Sequence, residues 1–144
     1  MNAPDLSKQA PRSPRERLGG YAILARAIDK CRADLAGTIG DFHTNCPLDR
    51  FLFDWKGTDY EAFRALVASG ADDHALVAFI NQTGLPKTEA EITEWSDQME
   101  NLSLHGHPEK GEWFDSECRS VGIDPATSSL FDYLEADDRK SFGG

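Results

Sequence analysis

Apolar side chains return every third or fourth residue through almost the whole chain, and prolines, glycines and capping residues repeatedly cut this helical period. Ser13, Pro14 and Glu16 form a capping box with proline at the first helical position. Tyr21, Leu24, Ile28, Cys31 and Leu35 then follow at helical spacing up to Gly37. The pattern predicts a long first helix starting at Ser13. Pro47 opens a short second helix with Leu48, Phe51, Leu52 and Trp55 on its apolar face. Three further starts are marked by Thr58 with Glu61, by Asp72, and by Thr88 with Glu91; His107–Pro108 and Asp124–Pro125 mark the last two. No stretch reads as a strand hairpin. The expectation is an all-α fold, a single compact domain of six to seven helices over residues 13–144. Residues 1–12, polar and proline-containing, are expected to be a mobile tail outside it.

Charge narrows the function classes. The formal net charge of −10 opposes nonspecific binding to nucleic acid or to an anionic membrane, since both require a basic surface. The charge is uneven: residues 1–35 carry seven Lys/Arg against four Asp/Glu, and the excess of acid lies beyond them. Such a basic start can serve as a docking patch rimmed by Arg15, Arg26 and Arg32, or it can be held by intramolecular pairing. No apolar run is long enough to span a bilayer, and the first 14 residues lack the hydrophobic stretch of a signal peptide. Three widely separated cysteines, Cys31, Cys46 and Cys118, form no CxxC pair and are expected to be free thiols in a cytoplasmic setting.

Chemistry concentrates in the connector from Asp41 to Asp49. Cys46 precedes Pro47 and therefore stands at the cap of the second helix, where unpaired amides and the helix dipole favour a thiolate. His43, three residues earlier, is a candidate base, and Asp41 or Asp49 a candidate to orient its ring. This makes His43, Cys46 and Asp49 the candidate catalytic residues of a cysteine-dependent enzyme or thiol sensor. The alternative is a small cysteine packed ahead of a helix, with His43 a satisfied loop residue and Asp41 and Asn45 turn and cap formers. His43, Cys46, His105 and His107 include zinc-type ligands, but their spacing is not that of a zinc finger, and no metal or other cofactor is assigned. Trp55, Trp95 and Trp113 lie at helical spacing with other apolar residues and are expected in the core. Glu135, Asp137 and Asp138, followed by Arg139 and Lys140, read as a solvated helix end.

Three segments carry a family likeness: ArgAlaIleAspLysCysArgAla at 26–33, AsnCysProLeuAsp at 45–49, and LeuGluAlaAspAspArgLysSerPhe at 134–142. Through them the chain, from Pro11 onward, resembles the bacterial family catalogued as domain of unknown function 5069. The resemblance implies a small bacterial helical protein and supplies no catalytic or binding position. Phosphate-cradling loops, a GxSxG elbow and a dinucleotide-binding glycine pattern are all missing from the sequence. With no recognisable triad, ligand set or cofactor loop, the residues favour a protein that binds a protein or small-molecule partner over an efficient enzyme.

Overall fold

The computed structural model describes residues 3–143. Its order is α1 (Leu24–Ala36), α2 (Pro47–Lys56), α3 (Tyr60–Ala68), α4 (Asp73–Gln82), α5 (Glu89–Asn101), α6 (Gly111–Ser120) and α7 (Leu130–Phe142), with no strand among the described residues. The all-α fold follows from the local signals read above. Pro47 occupies the first turn of α2, Asp72 caps α4 by accepting from the Ala75 amide, and Thr88 and Glu91 form a reciprocal capping box on α5. Gly37 closes α1 in the left-handed conformation, at φ 76° and ψ 22°.

Several expected boundaries shift, those of the first and third helices because tertiary partners compete with the local signal and those of the last two because other local turns and caps take precedence. The first helix begins at Leu24, not at Ser13. Gly19 and Gly20 adopt positive φ, Leu18 and Tyr21 pair across them, and the Ile23 amide bonds back to the Pro14 carbonyl. The Ser13 hydroxyl caps no long helix; it accepts from the Arg15 amide and donates to Glu135. Thr58 is buried and hydrogen-bonds Thr83, leaving Asp59 to cap α3. The last two helices start at Gly111 and Leu130. His107 Nδ1 accepts the Glu109 and Lys110 amides in a preceding turn, Asp124 forms its own turn with Ala126, and a Ser129–Asp132 capping box opens α7.

The expected free tail is packed as far as it is described, while Met1 and Asn2 lie outside the described residues. Leu6 is fully buried, its amide donates to the Thr38 carbonyl, and the Thr38 hydroxyl donates to the Pro4 carbonyl. A single large apolar side chain among polar neighbours anchors the segment, which the low overall apolarity of 1–12 conceals.

The main core is built on α1, whose Leu24, Ala25, Ala27, Ile28, Cys31 and Ala33 are all inaccessible. Phe53 of α2 meets Tyr60 and Phe63 of α3 edge-on, at centroid distances of 5.1 and 4.9 Å. Trp55 stacks on Trp95 at 4.8 Å, joining α2 to α5. Trp113 departs from the expected core position: it is 49% exposed and meets Tyr133 in a T-shaped contact. A smaller cluster of Leu104, Phe114, Cys118, Leu130 and Tyr133 holds α6 against α7.

The basic start of the chain is consumed by ion pairs within the molecule. Arg12 bridges Asp29 and Asp73, Arg15 reaches Asp132 and Glu135, Arg17 reaches Asp97 and Glu100, and Arg32 shares Asp73. The arginines expected to rim a docking patch are therefore spent on the fold. Glu135 and Asp138 of the last helix, expected to be solvated, pair with Arg15 and Arg26, whereas Asp137 joins no ion pair among the described residues.

Two stability predictions result. Phe53→Ala should lower the unfolding free energy by about 3–5 kcal/mol in urea titration, because it opens a cavity beneath Tyr60 and Phe63. Asp73 is held below the usual carboxylate range, first by the hydrogen bond from Arg12 and then by the charges of Arg12 and Arg32, partly offset by burial. A carboxylate depressed on folding contributes stability above about pH 4 that is lost as pH falls through its folded value. Asp73→Asn should therefore be less stable than wild type at neutral pH and should converge with it in acid.

Candidate functional site

Cys46 caps α2 in extended conformation, at φ −78° and ψ 173°, with its side chain free of any cap hydrogen bond. The sulfur turns instead toward α1, where Lys30 Nζ donates to it at 3.2 Å. Lys30 is only 3% exposed. Its ammonium also lies 2.9 Å from Oδ1 of Asp49, which stands in the first turn of α2 and is completely buried. That contact is close but misaligned, so it is an ion pair and not a directed hydrogen bond, and neither carboxylate oxygen has a hydrogen-bond partner. A buried carboxylate left this incompletely paired is uncommon, and it marks the cluster for attention.

Tyr60, at the start of α3, closes the inner side. Its hydroxyl is buried without an aligned hydrogen bond. Burial pushes it well above the usual phenol range, and the neighbouring Cys31 thiol and Asp49 carboxylate add to the shift. Cys31 is likewise pushed up by burial, against a smaller opposing effect of Tyr60. Burial also raises Cys118, far away in the second cluster. Cys31 and Cys118 are thus kept protonated and shielded, whereas Cys46 is half-buried and in contact with a cation.

The structure brings together only part of the set read from the sequence. Cys46 and Asp49 share Lys30, while His43 is exposed and no hydrogen bond joins it to Cys46 among the described residues. The connector turns at Asn45, whose φ of 50° carries the chain away between the two side chains. Asp41 is exposed as well. His105 pairs with Asp115 at 2.8 Å and His107 caps a turn; among the described residues no group of three or more His, Cys, Asp or Glu is placed to hold a metal ion. Lys30 is the residue that spacing alone passed over. No local signal marked it, because Arg26, Asp29, Arg32 and Asp34 are charged on the same helix and which of these side chains is enclosed is decided by the elements packed around α1.

One turn earlier on α1, Arg26 forms a two-pronged ion pair with Asp138 of α7, at 2.8 and 3.2 Å. The Phe42 ring covers its guanidinium at 5.5 Å and stacks on Phe142 at 6.1 Å. Beside these rings opens a cleft of about 530 Å³ lined by Leu6, Asp41, Phe42, Asp137, Ser141 and Phe142, among others. Asp137 on its wall is raised by burial and by the charges of Asp138 and Glu117. Side chains at positions i and i+4 of a helix stand about 5–6 Å apart, so Arg26, under Phe42, and Lys30, under Cys46, are neighbours along α1.

Removing one member of the buried pair should be far more costly than replacing both. Asp49→Ala is expected to lose about 3–5 kcal/mol of stability because the Lys30 charge is stranded, and Lys30→Met combined with Asp49→Leu should recover most of that loss. Denaturant unfolding of the single and double variants reads the difference directly.

The three segments that carried the family likeness meet here: Arg26 and Lys30 come from the first, Cys46 and Asp49 from the second, and Asp138 from the third. A search of the curated proteins finds no match. The model of the family described as Domain of unknown function (DUF5069) matches residues 8–140, nearly the whole chain, and the protein belongs to that family.

Proposed function

We propose that the protein works through Cys46 as a thiol sensor, a site that responds to peroxides or electrophiles. The observation supporting this is the Lys30 ammonium 3.2 Å from a half-buried sulfur, held there over a buried carboxylate. Two features favour reaction at this sulfur over the other two: access and a neighbouring positive charge. Lys30 replaces His43 as the supporting group, and Asp49 holds Lys30 in place without touching the sulfur itself. A reducing bacterial cytoplasm, where thiols persist, is the setting this reading requires.

The cleft between Phe42 and Phe142 supports a second reading, binding of a small molecule. Its aromatic walls and two carboxylates, Asp41 and Asp137, suit a ligand with an apolar body and a cationic group. Docking of a protein partner on the arginines of the chain start is disfavoured, since they are paired internally.

Timed alkylation with iodoacetamide at neutral pH tests the thiol reading. Cys46 should be labelled at least about ten times faster than Cys31 and Cys118. Lys30→Met combined with Asp49→Leu, the pair replacement that spares stability, should slow the labelling while leaving helix content unchanged by circular dichroism. Equal, slow labelling of all three cysteines would sink the proposal.

A further inference from the structure

We propose that oxidation of Cys46 is completed by Lys30, whose Nζ forms a direct sulfur–nitrogen bond with the sulfur and so makes a reversible cross-link between α1 and the cap of α2. This rests on the thiol reading above and adds the fate of the oxidised sulfur.

The geometry selects the partner. A sulfenic acid formed at an accessible thiol is normally captured by whichever nucleophile touches it, a second thiol or a nitrogen. Here the neighbour is Lys30 Nζ, already 3.2 Å from Sγ and almost wholly enclosed. Cys31 follows Lys30 in sequence, yet it faces Tyr60 inside the core, and all three cysteines are free. Asp49 supplies what the step needs next: a carboxylate 2.9 Å from the ammonium, with no hydrogen bond to either oxygen and therefore room to take a proton.

In the first step the Cys46 sulfur attacks one oxygen of hydrogen peroxide. The O–O bond breaks, sulfur is oxidised by two electrons, and the peroxide is reduced to water, leaving Cys46 as sulfenic acid. In the second step Lys30 passes one proton to Asp49 and becomes a neutral amine. Its lone pair attacks sulfur, the S–O bond breaks, and the departing hydroxide takes a second proton from nitrogen and leaves as water. Nothing is oxidised in this step. The products are Cys46 S–NH–Lys30 and a protonated Asp49. The link therefore converts a buried ion pair into two neutral groups, which the low-dielectric surroundings favour. External thiol reverses it: one thiol attacks sulfur and releases the Lys30 amine as a mixed disulfide forms, and a second thiol restores Cys46.

Peroxide treatment of the reduced full chain, followed by unfolding, iodoacetamide blocking without reductant, proteolysis and mass spectrometry, tests this. The expected product weighs two hydrogens less than the reduced protein, has Cys31 and Cys118 alkylated, yields a peptide pair joined through Lys30 and Cys46, and reverts with dithiothreitol. Lys30→Arg should stop at the sulfenic acid, trapped by dimedone; the peptide map of the wild type decides the matter even where that variant folds poorly. Dimedone capture of wild-type Cys46 with no linked pair would overturn the cross-link and leave the thiol reading intact. An unmodified Cys46 would overturn both. A linked pair carrying an additional oxygen, or the same mass loss with Cys31 unalkylated, would overturn the direct bond in favour of an oxygen bridge or a disulfide.

Discussion

Two cations that cannot reach water, Arg26 and Lys30 on α1, set the terms for the rest of the fold. Because α1 is the central helix, charged residues on it must meet carboxylates from elsewhere or carry a desolvation cost of several kcal/mol each. Asp138 from α7 answers Arg26, and Asp49 from α2 answers Lys30. These two pairs fix the position of the last helix and of the first turn of α2. Replacing them by apolar side chains would preserve packing, so the pairs are better understood as positioning these elements than as a source of net stability.

The two pairs differ in completeness. Arg26 has a two-pronged carboxylate, a backbone carbonyl from Arg12 and an aromatic ring over its face. Lys30 has a misaligned carboxylate and a thiol. A fully satisfied pair locks structure, whereas an under-satisfied one retains acceptor capacity, and only the second adjoins an atom able to react. That contrast on neighbouring turns of one helix places the candidate chemistry at Lys30 and leaves Arg26 as its scaffold.

The ion pairs of the chain start serve the same end from outside. Arg12, Arg15 and Arg17 run along the non-helical segment before α1 and tie it to α1, α4, α5 and α7. Most are partly exposed and individually worth little, but they share acceptors as a network, with Asp73 serving both Arg12 and Arg32. The acidic excess of the later helices is thus partly a counter-charge for the first 35 residues.

The helical class, the free cysteines, Cys46 at a helix cap and the starts at Pro47, Asp72 and Thr88 were legible in the sequence, because periodicity and capping are local and act within four residues. The family likeness could also be read from three short segments. What local spacing could not supply was any contact between distant parts. A capping box at Ser13 yielded to a glycine turn and to Glu135, an apparent tail was anchored by Leu6, and a histidine three residues from Cys46 turned out to face solvent while a lysine sixteen residues away met the sulfur. Spacing along a loop fixes neither direction nor burial. The partner of Cys46 was decided by how α2 packs on α1, and that packing is set by apolar surfaces and buried charges from the whole chain.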